Sequence, residues 1–300
     1  MTDGNAGTDT GTGAATATDS FVAHRNLLFT VAYEMLGSAA DAEDVLQETW
    51  LRWSDVEHAA VRDPRAFLVR VTTRQALTRL RTLRRRRESY VGPWLPEPLL
   101  TSPDVAEDVE LADSVSMAVL LVLESLTPTE RAVFVLRDVF ALDYDEIAQA
   151  VNKTLPAVRQ IAHRARAHVA ARRPRERVSS SQARDALAAF QQAVETGDLT
   201  QLLNLISPDV VLLTDGGGVV RAALQPVVGA ADVADALARL SGALLQPTQV
   251  NGHPALVIRR DGRIDTIMAL RLDAGLVTGL YAVRNPEKLS RMNHETALGR

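Results

Sequence analysis

The chain has no cysteine, which excludes disulfide staples, thiolate metal sites and thiol redox chemistry and suits a reducing, cytoplasmic compartment. No apolar run approaches the ~20 residues that span a bilayer, so no membrane association is expected. Residues 1–19 lack the basic start and apolar core of a signal peptide; rich in Gly, Thr, Ala and Asp, they read as a disordered tail. The six histidines are scattered, with no helical i, i+4 pair, so neither a metal nor a cofactor is expected. What is present is a 300-residue chain with 46% hydrophobic residues, enough for packed cores in about two domains or three small ones.

A net charge of −4 conceals how charge is segmented. Residues 20–90 carry 12 basic against 9 acidic side chains, and residues 115–178 carry 10 against 7. Between them, residues 91–114 hold six acids and no base: Glu97, Asp104, Glu107, Asp108, Glu110 and Asp113. From residue 182 onward the count is 11 to 12. Two mildly basic modules thus flank an acidic connector, and a near-neutral domain follows. Local patches, not the total, decide whether nucleic acid is a partner.

The second basic module is the more informative. Thr127-Pro128-Thr129-Glu130 is a capping box with Pro at the first helical position, predicting a helix through Val133, Leu136 and Val139. Asp143 and Glu146 repeat the signal before Ile147, Ala148 and Val151. Thr154 is a third cap for a helix reaching about Arg172, with Val158, Ile161, Ala162, Ala165 and Val169 on one face. Arg159, Gln160, His163 and Arg166 occupy its front. Two capped helices around a short turn, the second apolar behind and basic in front, match the helix-turn-helix plan for the major groove; a bundle with a solvated basic face is the plainer reading.

The first module reads as all helix. Leu27, Leu28, Val31, Met35 and Leu36 form a stripe ending at Gly37, a C-cap. Asp41 is a cap candidate for a helix burying Val45, Leu46, Thr49, Trp50 and Trp53, with Glu43, Asp44, Gln47 and Glu48 in front. Asp63-Pro64 starts a third helix with a seam of Val69, Thr73, Ala76, Leu80 and Leu83; Phe67 and Val71 lie off it. This helix carries eight arginines between positions 70 and 87, among them Arg70, Arg74, Arg81 and Arg85. So many cations repel one another unless a polyanion lies alongside, although the last turn also complements a helix C-terminus.

These residues carry a resemblance. Tyr33-Glu34-Met35-Leu36-Gly37, with residues 41–49, resembles the second conserved region of bacterial RNA polymerase sigma factors of the extracytoplasmic-function class (group 4). Residues 126–131, 145–148 and 158–160 resemble their fourth region. The resemblance implies that Asp44, Gln47 and Glu48 dock on core RNA polymerase. It implies that Arg62, Arg65, Phe67, Arg70, Arg74 and Arg81 engage the −10 element of promoter DNA, with Phe67 where many relatives carry Trp. It places Arg159, Gln160, His163 and Arg166 on the −35 element, where Arg pairs with guanine and Gln with adenine.

The connector holds Trp94-Leu95-Pro96-Glu97-Pro98-Leu99, which its prolines keep extended. Its acids read either as a flexible polyanion for a basic polymerase channel or as a solvated spacer, and Trp94 is expected to dock on something. Beyond it, apolar periodicity predicts helices on Ala183, Leu187, Phe190 and Val194, on Leu199, Leu202, Leu203 and Ile206, and on Val233, Leu237 and Leu240. Strands are predicted at 210–213, 219–224, 256–260, 264–272 and 276–283. Helices on a curved antiparallel sheet make an α+β cone. Residues 209–218 and 281–289 resemble the SnoaL-like domain that ends one group of these sigma factors, with Val219 where relatives place Lys. The expected organisation is a tail (1–19), sigma region 2 (20–90), linker (91–114), sigma region 4 (115–175) and a SnoaL-like regulatory domain (182–291).

SnoaL itself is a polyketide cyclase, and Asp215, His253, Asp265, Tyr281 and Arg284 could line a pocket, with or without a small ligand. No spacing pairs an acid with a base, so no enzyme is expected. The leading reading is a promoter-specificity subunit controlled in cis by the cone. For that control Trp94, Asp215, Gly216, Gly217, Gly218, Asn285, Pro286 and Lys288 are the candidate interdomain residues. The alternatives are a ligand-sensing DNA-binding regulator, which leaves the first module idle, and a cyclase-like enzyme fused to DNA-binding modules.

Overall fold

The computed structural model describes residues 10–101, 108–172, 178–240, 242–292 and 294–299. Its first helix, α1 (Thr10–Leu36), ends where Gly37 turns left-handed at φ +66°. The Gly37 amide closes the helix on the Tyr33 carbonyl at 2.7 Å, and a Cβ there would stand 2.8 Å from the Trp94 ring. The disordered tail is corrected over residues 10–19, which are helical: Ala17 is buried and its carbonyl accepts the Trp53 indole N–H at 2.9 Å. Residues 1–9 of that tail lie outside the described residues.

Helix α2 (Ala39–Ser54) is capped by Ser38, whose Oγ accepts from the Asp41 amide at 3.2 Å, and not by Asp41 as expected. Val45, Leu46, Thr49 and Trp53 are buried, while Trp50 is half-buried. Helix α3 (Pro64–Arg87) buries its expected seam plus Leu68 and Leu77. Phe67 packs on Trp53 with ring centroids 5.5 Å apart.

The second helical module comprises α4 (Val109–Val115), α5 (Met117–Glu124), α6 (Pro128–Phe134), α7 (Tyr144–Val151) and α8 (Leu155–Ala170). The capping box is formed: the Glu130 amide donates to Thr127 Oγ1 at 3.4 Å and the Thr127 amide to Glu130 Oε2 at 3.1 Å. Val135–Val139 continue α6 as a π-helical turn. Asn152, at φ +52°, ends α7 and starts the turn into α8, which buries Val158, Ala162, Ala165 and Val169. Thr154 makes no side-chain cap bond there. One continuous core runs from Phe21 and Trp53 through Leu80 and Leu120 to Val133, Ile147 and Ala162, so the two helical modules are packed together.

The last domain sets α9 (Ser180–Thr196), α10 (Leu199–Leu205) and α11 (Ala230–Ala238) against one face of a six-stranded sheet ordered β2-β1-β6-β5-β4-β3. The strands are β1 (Ile206–Asp215), β2 (Val227–Val228), β3 (Leu245–Val250), β4 (His253–Arg260), β5 (Arg263–Asp273) and β6 (Leu276–Val283). A short helix, α12 (Pro286–Leu289), follows. The antiparallel expectation is corrected: β1 runs parallel to β6, with Leu212 opposite Leu280, and the sheet is mixed. These strands are distant in sequence and no hairpin constrains their direction.

Residues 219–224 are not the expected strand. The Val219 and Val220 amides turn back onto the Gly216 carbonyl, and the strand is only Val227-Val228. β3 was not anticipated because it contains Pro247, which an edge position tolerates. In α10 only Leu202 is buried; Leu199 and Leu203 stay exposed and Ile206 already belongs to β1. On the sheet's other face, Val257, Ile267 and Val283 pack against Leu95 of the linker and Met117 of α5. No described helix is long and apolar enough to cross a membrane.

Candidate functional site

Asp44, Gln47 and Glu48 are exposed on the front of α2. Arg79 of α3 pairs with Asp41 at 2.7 Å and Asp44 at 2.6 Å, and Gln75 donates to Glu48 at 2.7 Å. The acidic face is therefore held in place from behind by α3. Arg62, Arg65 and Arg81 are exposed. Arg70 and Arg74, expected along phosphates, instead meet the C-terminal end of α7. Arg74 Nη2 donates to the Gln149 carbonyl at 2.8 Å and Arg70 Nη1 to Gln149 Oε1 at 3.4 Å. A helix C-terminus carries partial negative charge, so it stands in for an anion. Arg62, Phe67 and Arg70 share a cavity of about 380 Å³ with Glu146 and Gln149 of α7.

On the helix-turn-helix, Arg159, Gln160 and His163 project into solvent from α8. Arg166 differs: it pairs with Asp138 at 2.6 Å and reaches the Tyr144 hydroxyl at 3.4 Å. Its guanidinium is thus engaged within the module in this conformation.

The interdomain candidates converge. Asp215, fully buried at the end of β1, accepts from Tyr90 Oη at 2.6 Å, the Leu95 amide at 2.8 Å, the Gly217 amide at 3.1 Å and Lys288 Nζ at 2.6 Å. Asn285 caps α12, which opens with Pro286, and donates to Tyr90 Oη at 2.9 Å. Gly217 lies at φ +61° directly over the Asn285 side chain and leaves no room for a Cβ. Gly216 and Gly218 complete that turn, Gly218 against Val91.

Trp94 is sandwiched between cations, with the Arg87 guanidinium 3.6 Å and Lys288 Nζ 4.3 Å from its ring centre. Burial pushes the Lys288 ammonium down to about 8, against the pull of Asp215. Arg87 also pairs with Glu124, which pairs in turn with buried Arg131; Arg131 Nε donates to the Glu34 carbonyl at 2.8 Å. One polar chain therefore runs from the cone through the linker into both helical modules.

The linker itself is gripped on both sides. Leu95 is buried against the cone and Leu99 against the helical core, each such side chain contributing about 1.5–3 kcal/mol of transfer free energy. Glu97 is buried: Oε2 accepts from the Ala39 amide at 2.8 Å, capping α2 from 58 residues away. Desolvation raises its pKa even against the amides of Ala40 and Ala39. This corrects the reading of the acids as a free polyanion: Glu97 is built in and Asp108 caps α4, while Asp104 and Glu107 lie outside the described residues.

Asn251, in the two-residue turn between β3 and β4, touches three other segments. Its Nδ2 donates to Tyr33 Oη at 2.7 Å and the Val115 carbonyl at 2.8 Å, and its Oδ1 accepts from the Leu99 amide at 2.9 Å. Thr101 then pairs with Gln249 at 3.3 Å, and the C-terminal segment closes over the linker, Thr296 donating to Leu100 at 2.8 Å and Gly299 to Thr30 at 3.1 Å.

The sequence reading missed Tyr33, Tyr90, Glu97, Arg131 and Asn251. Asn251-Gly252 is the exception with a local signal, being the commonest two-residue hairpin pair. The five polar groups weighed for catalysis do not gather at one site. Asp265 and Arg284 pair with each other at 3.0 Å, Asp215 is tied to Lys288, and His253 lies 3.1 Å from the Ala112 carbonyl.

Comparison with known proteins agrees with this architecture. Residues 21–86 match the family model described as Sigma-70 region 2, and residues 116–169 that described as Sigma-70, region 4. The chain is similar to the ECF RNA polymerase sigma factor SigJ of Mycobacterium tuberculosis, 34% identical over 295 residues that span 90% of this chain and 92% of SigJ. It is also similar to SigG of that organism, 34% identical over 219 residues covering 63% of this chain and 58% of SigG. The crystal structure of SigJ superposes with a TM-score of 0.74 at 33% identity, covering 91% of this chain and 98% of that one. With both sigma regions in order and the cone in place, the chain belongs to the extracytoplasmic-function RNA polymerase sigma factors, which direct transcription initiation.

Proposed function

We propose that the cone controls initiation in cis by holding the linker, and that the described conformation is a closed one. The observation that carries this is Arg70 and Arg74 of α3 bonded to the end of α7 while Asp215 and Lys288 grip the linker. Promoter engagement requires α3 to part from α7, and the clamp sets how far the modules separate. In this reading Asp44, Gln47 and Glu48 meet core polymerase. Arg62, Arg65, Phe67, Arg70, Arg74 and Arg81 serve the −10 element, and Arg159, Gln160, His163 and Arg166 the −35 element. The cone acts without catalysis, since Asp215, Asp265 and Arg284 are committed to ion pairs. Any small molecule it takes is a signal.

Run-off transcription with purified core polymerase tests the scheme. A chain ending at Ser181 loses most or all activity, whereas one ending at Arg284 initiates at a rate different from the full chain. Equal initiation by all three would make the cone a passenger.

The division between base-reading and phosphate-following arginines has its own test. Arg159→Ala costs about 1–3 kcal/mol on the cognate −35 element and relaxes preference at one base pair. Arg85→Ala weakens all promoters alike and flattens the salt dependence. Equal losses on cognate and scrambled −35 sequences in both variants would contradict it.

A further inference from the structure

The cone's interior is filled: Leu187, Phe190, Leu202, Val233 and Leu237 pack there against Leu256 and Leu280. The open space is elsewhere, at the seam where α5 of the second helical module meets the end of the sheet. A cavity of about 180 Å³ lies there, walled by Met117, Leu187, Ala269 and Leu270. Polar groups line it from both sides. Arg271 and Tyr281 come from the sheet, Asp113 and Ser116 from α4 and the start of α5, and His253 of β4 reaches the Ala112 carbonyl at 3.1 Å.

Arg271 is the unusual member. Its Nε and Nη2 donate to Thr278 Oγ1 and the Thr278 carbonyl, both at 3.0 Å; the exposed Asp209 carboxylate feels its charge, but no described carboxylate comes within ion-pair distance of it. A guanidinium at an apolar cavity with no carboxylate in direct contact favours an anion, bound through charge-assisted hydrogen bonds. Volume sets the size. An apolar cavity of about 150 Å³ accommodates benzene, so this one takes a single ring with a small substituent.

We propose that this seam binds a one-ring aromatic acid, its ring against Met117 and Ala269 and its carboxylate at Arg271 and Tyr281. Asp113 on the opposite side rejects a second anionic group. The site has walls from both α5 and the cone, so it exists only while the two are docked. By linkage, an occupant stabilises the docked form by RT ln(1 + [L]/Kd). The regulatory consequence rests on the cone acting as a clamp; the binding itself does not.

Calorimetric titration of the full chain with benzoate, and with benzyl alcohol as its neutral analogue, tests the site. Benzoate binds one per chain, and more tightly than benzyl alcohol. Ala183→Phe, a half-buried position that fills the mouth from α9, weakens benzoate at least about tenfold, equivalent to about 1.4 kcal/mol. Arg271→Met brings benzoate and benzyl alcohol within about twofold by removing the charged partner. Absence of benzoate binding at about 10 mM, weaker than any useful metabolite affinity, overturns the proposal. So does benzoate binding that neither substitution alters. The readout is heat of binding, so the clamp model of transcription stands or falls separately.

Discussion

Asp215→Ala is expected to lower the unfolding free energy of the full chain by roughly 3–5 kcal/mol, the cost of leaving a buried partner charge uncompensated. Asp215 is wholly buried and Lys288 nearly so, with side-chain exposures of 0% and 12%. Lys288 is one of only two lysines in the chain, and its ammonium is held beside Tyr90 and Trp94 with Asp215 as its ion-pair partner. Removing the carboxylate also strands the Leu95 amide and the Tyr90 hydroxyl. Lys288→Met removes the stranded charge, so the double variant should recover part of the loss. Urea unfolding of the four proteins gives the coupling. A cost near that of an exposed pair, or no coupling, would show that the ion pair does not hold the linker.

Asn251→Ala is the second large effect. Three side-chain hydrogen bonds disappear inside the protein, leaving the Leu99 amide, the Val115 carbonyl and Tyr33 Oη short of a partner. Each buried group left unsatisfied costs about 1–3 kcal/mol. Asn251 also sits at φ +55°, where Asn is tolerated better than Ala by roughly 1 kcal/mol. Asn251→Gly separates the terms, since it accepts the backbone angle but restores no hydrogen bond. Asn251→Asp should be at least as damaging as Ala, because it aims a carboxylate at the Val115 carbonyl. If the Gly variant melted with the wild-type chain, the side-chain bonds would carry no weight and the joint would be purely a matter of backbone shape.

Local chemistry explains what was legible in the sequence. The Thr127 box, the Gly37 stop, the buried stripes of α1, α2, α3 and α8, and the docking of Trp94 all follow from rules that act within one or two turns. What escaped is nonlocal. Glu97 looks like one more linker acid, yet it caps a helix far upstream because Pro96 and Pro98 hold it against Ala39. Arg70 and Arg74 read as free cations because nothing near them in sequence announces the carbonyls of α7. The parallel pairing of β1 with β6 was missed because hairpin reasoning assumes that neighbours in the chain pair, and the edge strand β3 because Pro247 interrupts it. Thr10–Asp19 looked featureless because its anchor, Trp53, belongs to another helix.

The pairing of the linker with β3 also bears on how the chain is made. Leu99 waits for Asn251, 152 residues further along. On the ribosome both DNA-binding modules emerge before any part of the sheet that covers Leu95. At about 5–20 residues per second, the gap lasts roughly 8–30 seconds. During the later part of that interval both helical modules are complete while the linker between them is not yet held by the cone. Synthesis itself therefore passes through a stage in which the sigma modules precede the cone's grip on the linker.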